Sequence, residues 1–148
     1  MTRSNAREIA CHLVFEMNFN DITAGEALRT LMEESYYPTL KGETDVYEER
    51  PDGKQLEYLT NVVQGVQAKR EELEGYITKY SVGWSLIARM AVAIMEVCMY
   101  EALYIDDAPI SAAINEAVEL TRKYENEDVV SFVNGILGGF AREVQQLC

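Results

Sequence analysis

The stretch Pro109–Phe140, PISAAINEAVELTRKYENEDVVSFVNGILGGF, decides the fold of this chain. Its second half admits two readings. Asn134-Gly135 between apolar residues is a strong short signal for a β-hairpin, pairing Val129–Val133 with Ile136–Phe140. The same segment also carries a helical pattern. Val129, Phe132, Val133, Ile136, Leu137, Phe140, Val144 and Leu147 recur at three- and four-residue spacing over about five turns. A hairpin leaves Val144 and Leu147 unexplained, an isolated hairpin is marginal in water, and no other stretch reads as a strand. The helix is the better reading, and it makes the chain all-α, with about seven helices.

Working back from this stretch, Ile110, Ile114, Ala117, Val118 and Thr121 mark one helical face, and Pro109 suits the first turn. Asn126 is expected as a left-handed cap and Asp128 as the N-cap of the last helix. Leu86–Tyr104 is apolar on nearly all sides, so it belongs in the middle of a bundle, with Cys98 and its methionines as core filler. Before it, Gln55–Tyr80 reads as one long helix whose polar run Gln67–Glu72 separates two packing regions.

YYPTLKGETDVYEERPDGK has no period, two prolines, two glycines and an acidic cluster, and is expected to be a long exposed loop, mobile rather than partner-binding because acidic polar runs are usually just solvated. Thr23 and Glu26 form a capping box for a short helix that runs to about Ser35. Asn5 and Glu8 have similar spacing at the start of the first helix, whose apolar face is Ala6, Ala10, Leu13 and Met17. Residues 1–148 are thus expected to form a single domain of two helical subdomains. One spans about 1–80, with the acidic loop at about 36–54, and the other about 81–148.

At 148 residues the chain can bury a real core, and its composition is that of an ordinary globular protein. No run of apolar residues is long enough for a membrane span, and the N-terminus lacks the apolar core of an export signal. Cys11, Cys98 and Cys148 are odd in number and far apart, which reads as reduced thiols in a cytoplasmic protein. The formal charge of −12 argues against nucleic-acid binding by the surface at large, though a small basic site remains compatible with it.

No catalytic constellation emerges. His12 is the only histidine and reads as a surface or partner-contacting residue. There is no paired-cysteine zinc motif, no phosphate-cradling glycine loop and no Gly-x-Ser-x-Gly, and close helix packing accounts for Gly138-Gly139. The chain reads as a binding protein without enzyme activity, cofactor or metal.

Two blocks in the last third, Ala113-Ile114-Asn115-Glu116-Ala117-Val118-Glu119-Leu120 with Arg122-Lys123-Tyr124, and Phe132-Val133-Asn134-Gly135-Ile136-Leu137, resemble the NusB family of transcription antitermination factors. Ala6-Arg7-Glu8, Val63-Gln64-Gly65-Val66, Trp84, Tyr100-Glu101 and Pro109 support the resemblance, which covers essentially the whole chain. It implies two small helical subdomains packed together. It also implies binding to the boxA element of nascent ribosomal RNA, jointly with the ribosomal protein called NusE, in a complex that joins RNA polymerase. By position, the RNA-facing candidates are Arg3 and Arg7 near the N-terminus, Arg122 and Lys123, and Phe132 and Asn134. Single-stranded RNA is read by aromatic stacking and hydrogen bonds to base edges, with Arg and Lys on the phosphates. Helix spacing alone makes Phe132 equally a core residue.

The chain departs from the family pattern in one direction. Its N-terminal arginine cluster is thinned to Arg3 and Arg7, Ser131 stands where a basic residue is usual, and Glu96 stands where an arginine is expected. Ala91 and Val92 replace charged residues after Trp84, and Glu125 replaces a helix-ending glycine. Fewer cations mean fewer phosphate contacts. The alternative function is therefore a NusB-like protein–protein adaptor, as a homodimer, that has lost RNA binding.

Overall fold

The computed structural model describes residues 1–33, 45–47, 49–81, 88–105 and 109–146. Its α-helices are α1 (Arg3–Asn20), α2 (Ala24–Met32), α3 (Gly53–Ala68), α4 (Arg70–Tyr80), α5 (Arg89–Tyr104), α6 (Ile110–Tyr124) and α7 (Glu127–Gln146), with a 3-10 turn at Asp45–Tyr47. No strand occurs among the described residues. The deciding stretch is helical: Val133, Ile136, Leu137 and Phe140 are buried along α7, while Asn134 and Gly135 lie on its solvent side. A helix repeats its face every 3.6 residues, so the Asn-Gly pair falls outward as a unit and costs only propensity.

The chain divides into two compact units, Met1–Ala68 and Lys69–Cys148. In the first, α1 packs on α2, α3 and the 3-10 turn. Its core comprises Ala6, Ile9, Ala10, Leu13, Val14 and Met17 against Leu31, Leu59, Val62 and Val63. In the second, α5 packs on α4, α6 and α7, and α7 also packs on α4 and α6. The run Ala93–Tyr100 of α5 is buried at every position, as its all-round apolar pattern requires. The division falls beside the turn residue Lys69 (φ −107°, ψ 16°), which also interrupts the single helix expected over Gln55–Tyr80. The polar run Gln67–Glu72 is thus a break, because no buried apolar side chain spans it to hold one rod.

Several local expectations change. The first helix is capped by Thr2, whose Oγ1 accepts the Asn5 N–H at 3.1 Å, so Asn5 lies inside the first turn. Glu8, expected as its capping partner, is buried beside His12 instead. Thr23 caps α2 as expected, accepting from the Glu26 N–H. Asn126, expected to be left-handed, is the N-cap of α7: its Oδ1 accepts the Val129 N–H at 3.1 Å, which leaves Asp128 in the first turn. Glu125, where the family pattern has glycine, ends α6 in extended backbone (φ −132°, ψ 169°) that any residue adopts. Pro109 is the N-cap of α6.

The acidic segment is not uniformly solvated either. Val46 and Tyr47 are buried against the first unit, and Pro51 is buried too. Helix α3 begins at Gly53, whose φ of +53° suits a residue without Cβ. Residues 34–44 and 48, which include most of the expected loop and Ser35 at the expected end of the second helix, residues 82–87 with Trp84 and the expected helix start at Leu86, residues 106–108, and Leu147 and Cys148 lie outside the described residues.

Candidate nucleic-acid interface

The RNA-facing candidates divide between the two units. Arg3 and Arg7 sit on the first two turns of α1, four residues apart and therefore on one face. That first turn contains no acidic residue, so the positive end of the helix dipole stands beside two arginines. Arg3 is also part of the packing. Its Nε donates to Gln55 Oε1 at 2.9 Å, and its guanidinium lies 4.1 Å from the centre of the Tyr58 ring. Stacking on an aromatic face together with a hydrogen bond from Nε orients a planar guanidinium. Arg7 is half-buried. An arginine fixed in this way loses less rotamer entropy when it meets a phosphate than a freely moving one does.

In the second unit, Arg122 and Lys123 occupy the last turn of α6, where cations complement the helix dipole. Arg122 is engaged by two carboxylates: its Nη1 is 2.5 Å from Glu119 Oε1 and its Nε 3.2 Å from Glu127 Oε1. The hydrogen bond that Arg122 donates to Glu127, followed by the charge of Glu119, pushes the Arg122 pKa up. Its charge is locally cancelled. Lys123 is exposed, its Nζ 5.7 Å from the Tyr124 ring centre. On α7, Asn134 is exposed and Phe132 half-buried, so Phe132 is neither a closed core residue nor a fully presented stacking platform. Ser131, in place of the usual basic residue, is exposed beside them. Glu96, in place of an arginine, is fully buried in α5.

His12 has specific partners that its sequence position did not announce. It is half-buried and held in place: Nδ1 lies 2.7 Å from the Tyr47 hydroxyl and Nε2 4.0 Å from Glu8 Oε2. The aromatic–apolar pair Val46-Tyr47 inside the acidic run was the signal that this segment docks. Gln55 and Tyr58 were also missed as partners of Arg3, since no sequence spacing links the start of α1 to α3. The Glu119–Arg122 pair, by contrast, is legible as an i, i+3 contact.

No helix among the described residues is long and apolar enough to cross a membrane. A profile of the NusB family matches residues 4–142. The chain is 36% identical to a transcription antitermination protein NusB of Acetivibrio thermocellus over 140 residues, covering 93% of this chain and 87% of that protein. It is 33% identical to the protein of the same name from Clostridium tetani, with 97% and 100% covered. Among solved structures, T. maritima NusB superposes with a TM-score of 0.78 at 24% identity, covering 97% of this chain and 92% of that one. A complex of the antitermination factors NusB and NusE with double-stranded RNA contains a chain with a TM-score of 0.75 at 17% identity, with 95% and 96% covered. At those identities the two structures speak to the fold.

Proposed function

The chain belongs to the NusB family, and on that premise we propose that it is a cytoplasmic transcription antitermination factor. In this reading it binds boxA-like single-stranded RNA of nascent ribosomal RNA transcripts together with a NusE-type ribosomal protein, and it reaches RNA polymerase only through that assembly. The observation that carries the proposal is the near-full-length identity to antitermination proteins, including 36% over 93% of the chain. The arginine pair on the acid-free first turn of α1 is compatible with it, because helix N-termini and guanidinium groups both favour phosphate. Arg3 and Arg7 are proposed as phosphate contacts, Lys123 and Arg122 as a weaker basic pair, and Phe132 with Asn134 as base contacts. No step of this function needs catalysis. A chain of charge −12 gains little from its own surface field, so a basic protein partner would supply part of the cation count that RNA requires.

The direct test is titration of labelled boxA-like RNA, single-stranded and as a duplex, with the protein alone and with the NusE-type partner. Binding that is strengthened by the partner and weakened by Arg7→Ala is expected. No binding to either form at low salt, with or without the partner, would refute the proposal.

The engagement of Arg122 by Glu119 and Glu127 favours a second reading, a protein-only adaptor acting as a homodimer. Light scattering on the purified chain and retention of partner binding without any RNA binding would select it.

A further inference from the structure

The first unit contains a cavity of about 40 Å³ between α1, α2 and the 3-10 turn. Its floor is apolar, made by Leu13, Ala27 and Leu31, all nearly inaccessible. His12 and Tyr47 form a wall, joined by the 2.7 Å contact between Nδ1 and the phenol oxygen. At its mouth Thr30 is exposed, while Glu16, like His12, is half-buried. Behind the wall the buried carboxylate of Glu8 approaches His12 Nε2 at 4.0 Å.

The size restricts the occupant. One water needs about 10–15 Å³ of such space, and a small-molecule site several hundred. The cavity therefore fits the tip of one side chain and no more. Its chemistry restricts the occupant further. Glu16 offers an acceptor-only carboxylate, Thr30 and Tyr47 offer hydroxyl oxygens, and among the described residues neither lysine nor arginine lines the space. A phosphate or carboxylate would meet Glu16 in front and Glu8 behind, whereas an ammonium or guanidinium would find its acceptors already in place. Nucleic acid carries no cation to put there, so the occupant comes from protein. The net charge of −12 makes a basic partner the complementary one.

We propose that this cavity receives a lysine or arginine side chain of the protein partner and is the partner-specific anchor of this chain, distinct from the arginine face that meets RNA. The inference rests on the reading that a NusE-type protein is bound.

Calorimetric titration of that ribosomal protein into wild type, Glu16→Gln and Ala27→Leu tests it. Glu16→Gln removes the charge at an accessible position, and Ala27→Leu fills the floor without changing charge. Partner affinity should fall at least roughly tenfold in each variant, and the Glu16→Gln complex should lose part of its salt dependence. Binding of boxA-like RNA without the partner should be unchanged. Thermal unfolding checks that the variants are folded, and if Ala27→Leu fails that check Glu16→Gln decides alone. Folded variants that bind the partner as wild type does would overturn the inference, whereas a wild type that does not bind the partner overturns the function on which it rests.

Discussion

A Cβ on Gly139 would lie 2.5 Å from Cδ1 of Tyr80, so α7 meets the end of α4 with its backbone directly against an aromatic ring. Of the glycines in α7, only this one is required by packing. At Gly138 the nearest atom to an added Cβ is the mobile tip of Arg142 at 3.5 Å, and at Gly135 nothing lies within 4 Å. Gly139→Ala should therefore destabilise the fold by about 1–3 kcal/mol through overpacking, in spite of alanine's better helix propensity. Gly135→Ala should instead stabilise it by up to about 1 kcal/mol. Urea unfolding midpoints of the two variants, moving in opposite directions from wild type, are the expected result.

The far end of the same tyrosine predicts a pH dependence. The Tyr80 hydroxyl donates to Glu143, and Lys79 Nζ lies 2.5 Å from the same carboxylate. The hydrogen bond from Lys79, followed by that from Tyr80, holds the Glu143 carboxyl below its ordinary value of 4.5. A depressed carboxyl stabilises the fold fully above its unfolded value, and that contribution is lost as pH falls through the folded one. The same bonds raise Lys79 above 10.5 and Tyr80 above 10.0, so their contributions persist at neutral pH and fade in alkali. The stability of wild type over Glu143→Gln should thus be constant near neutrality and shrink once pH drops below 4.5. Unfolding midpoints measured down the pH scale for both proteins should converge in acid; parallel curves would contradict the assignment.

The helical architecture was legible because it depends on periodicity, and a buried face repeats along the sequence wherever tertiary packing selects it. Asn134-Gly135 shows the limit of a local signal: the pair suits a hairpin, yet burial of Val133, Ile136, Leu137 and Phe140 outweighs it. Helix ends were less legible. Thr2 and Asn126 cap where Asn5 and Asp128 were expected, because neighbouring polar residues have similar propensities and only the backbone geometry chooses among them. Contacts across long sequence separations were not legible at all. Nothing local links Arg3 to Tyr58 or His12 to Tyr47, so the preorganisation of the first arginine and the docking of the acidic segment arise only from the tertiary fold.

That docking can be measured. Tyr47 is only 6% exposed, and its hydroxyl meets His12 Nδ1. Tyr47→Phe keeps the ring and removes one hydrogen bond, so it should cost roughly 1 kcal/mol. Tyr47→Ala also removes the packing and should cost about 3–5 kcal/mol. Proteolysis between α2 and α3 gives an independent readout. Cleavage there should accelerate strongly in the alanine variant and slightly in the phenylalanine variant, since local opening governs access. Equal rates in all three proteins would mean that Tyr47 does not anchor the segment.

Arg122 supplies the sharpest test of how this chain handles RNA. With Glu119 and Glu127 both on its guanidinium, the cluster presents a net negative charge to an approaching phosphate, and a carboxylate pair must be displaced before Arg122 can contribute. Arg122→Ala should accordingly change RNA affinity very little. The reciprocal substitution should act in the opposite sense. Glu119→Gln combined with Glu127→Gln frees the guanidinium and removes two repulsive charges, so RNA affinity should rise. The slope of log affinity against log salt should steepen by about one phosphate contact. Both carboxylates are exposed, so loss of the pairs costs little stability. If the double variant binds RNA no better, with an unchanged salt slope, Arg122 lies off the RNA path. Of the basic pair on α6, Lys123 alone then remains a candidate.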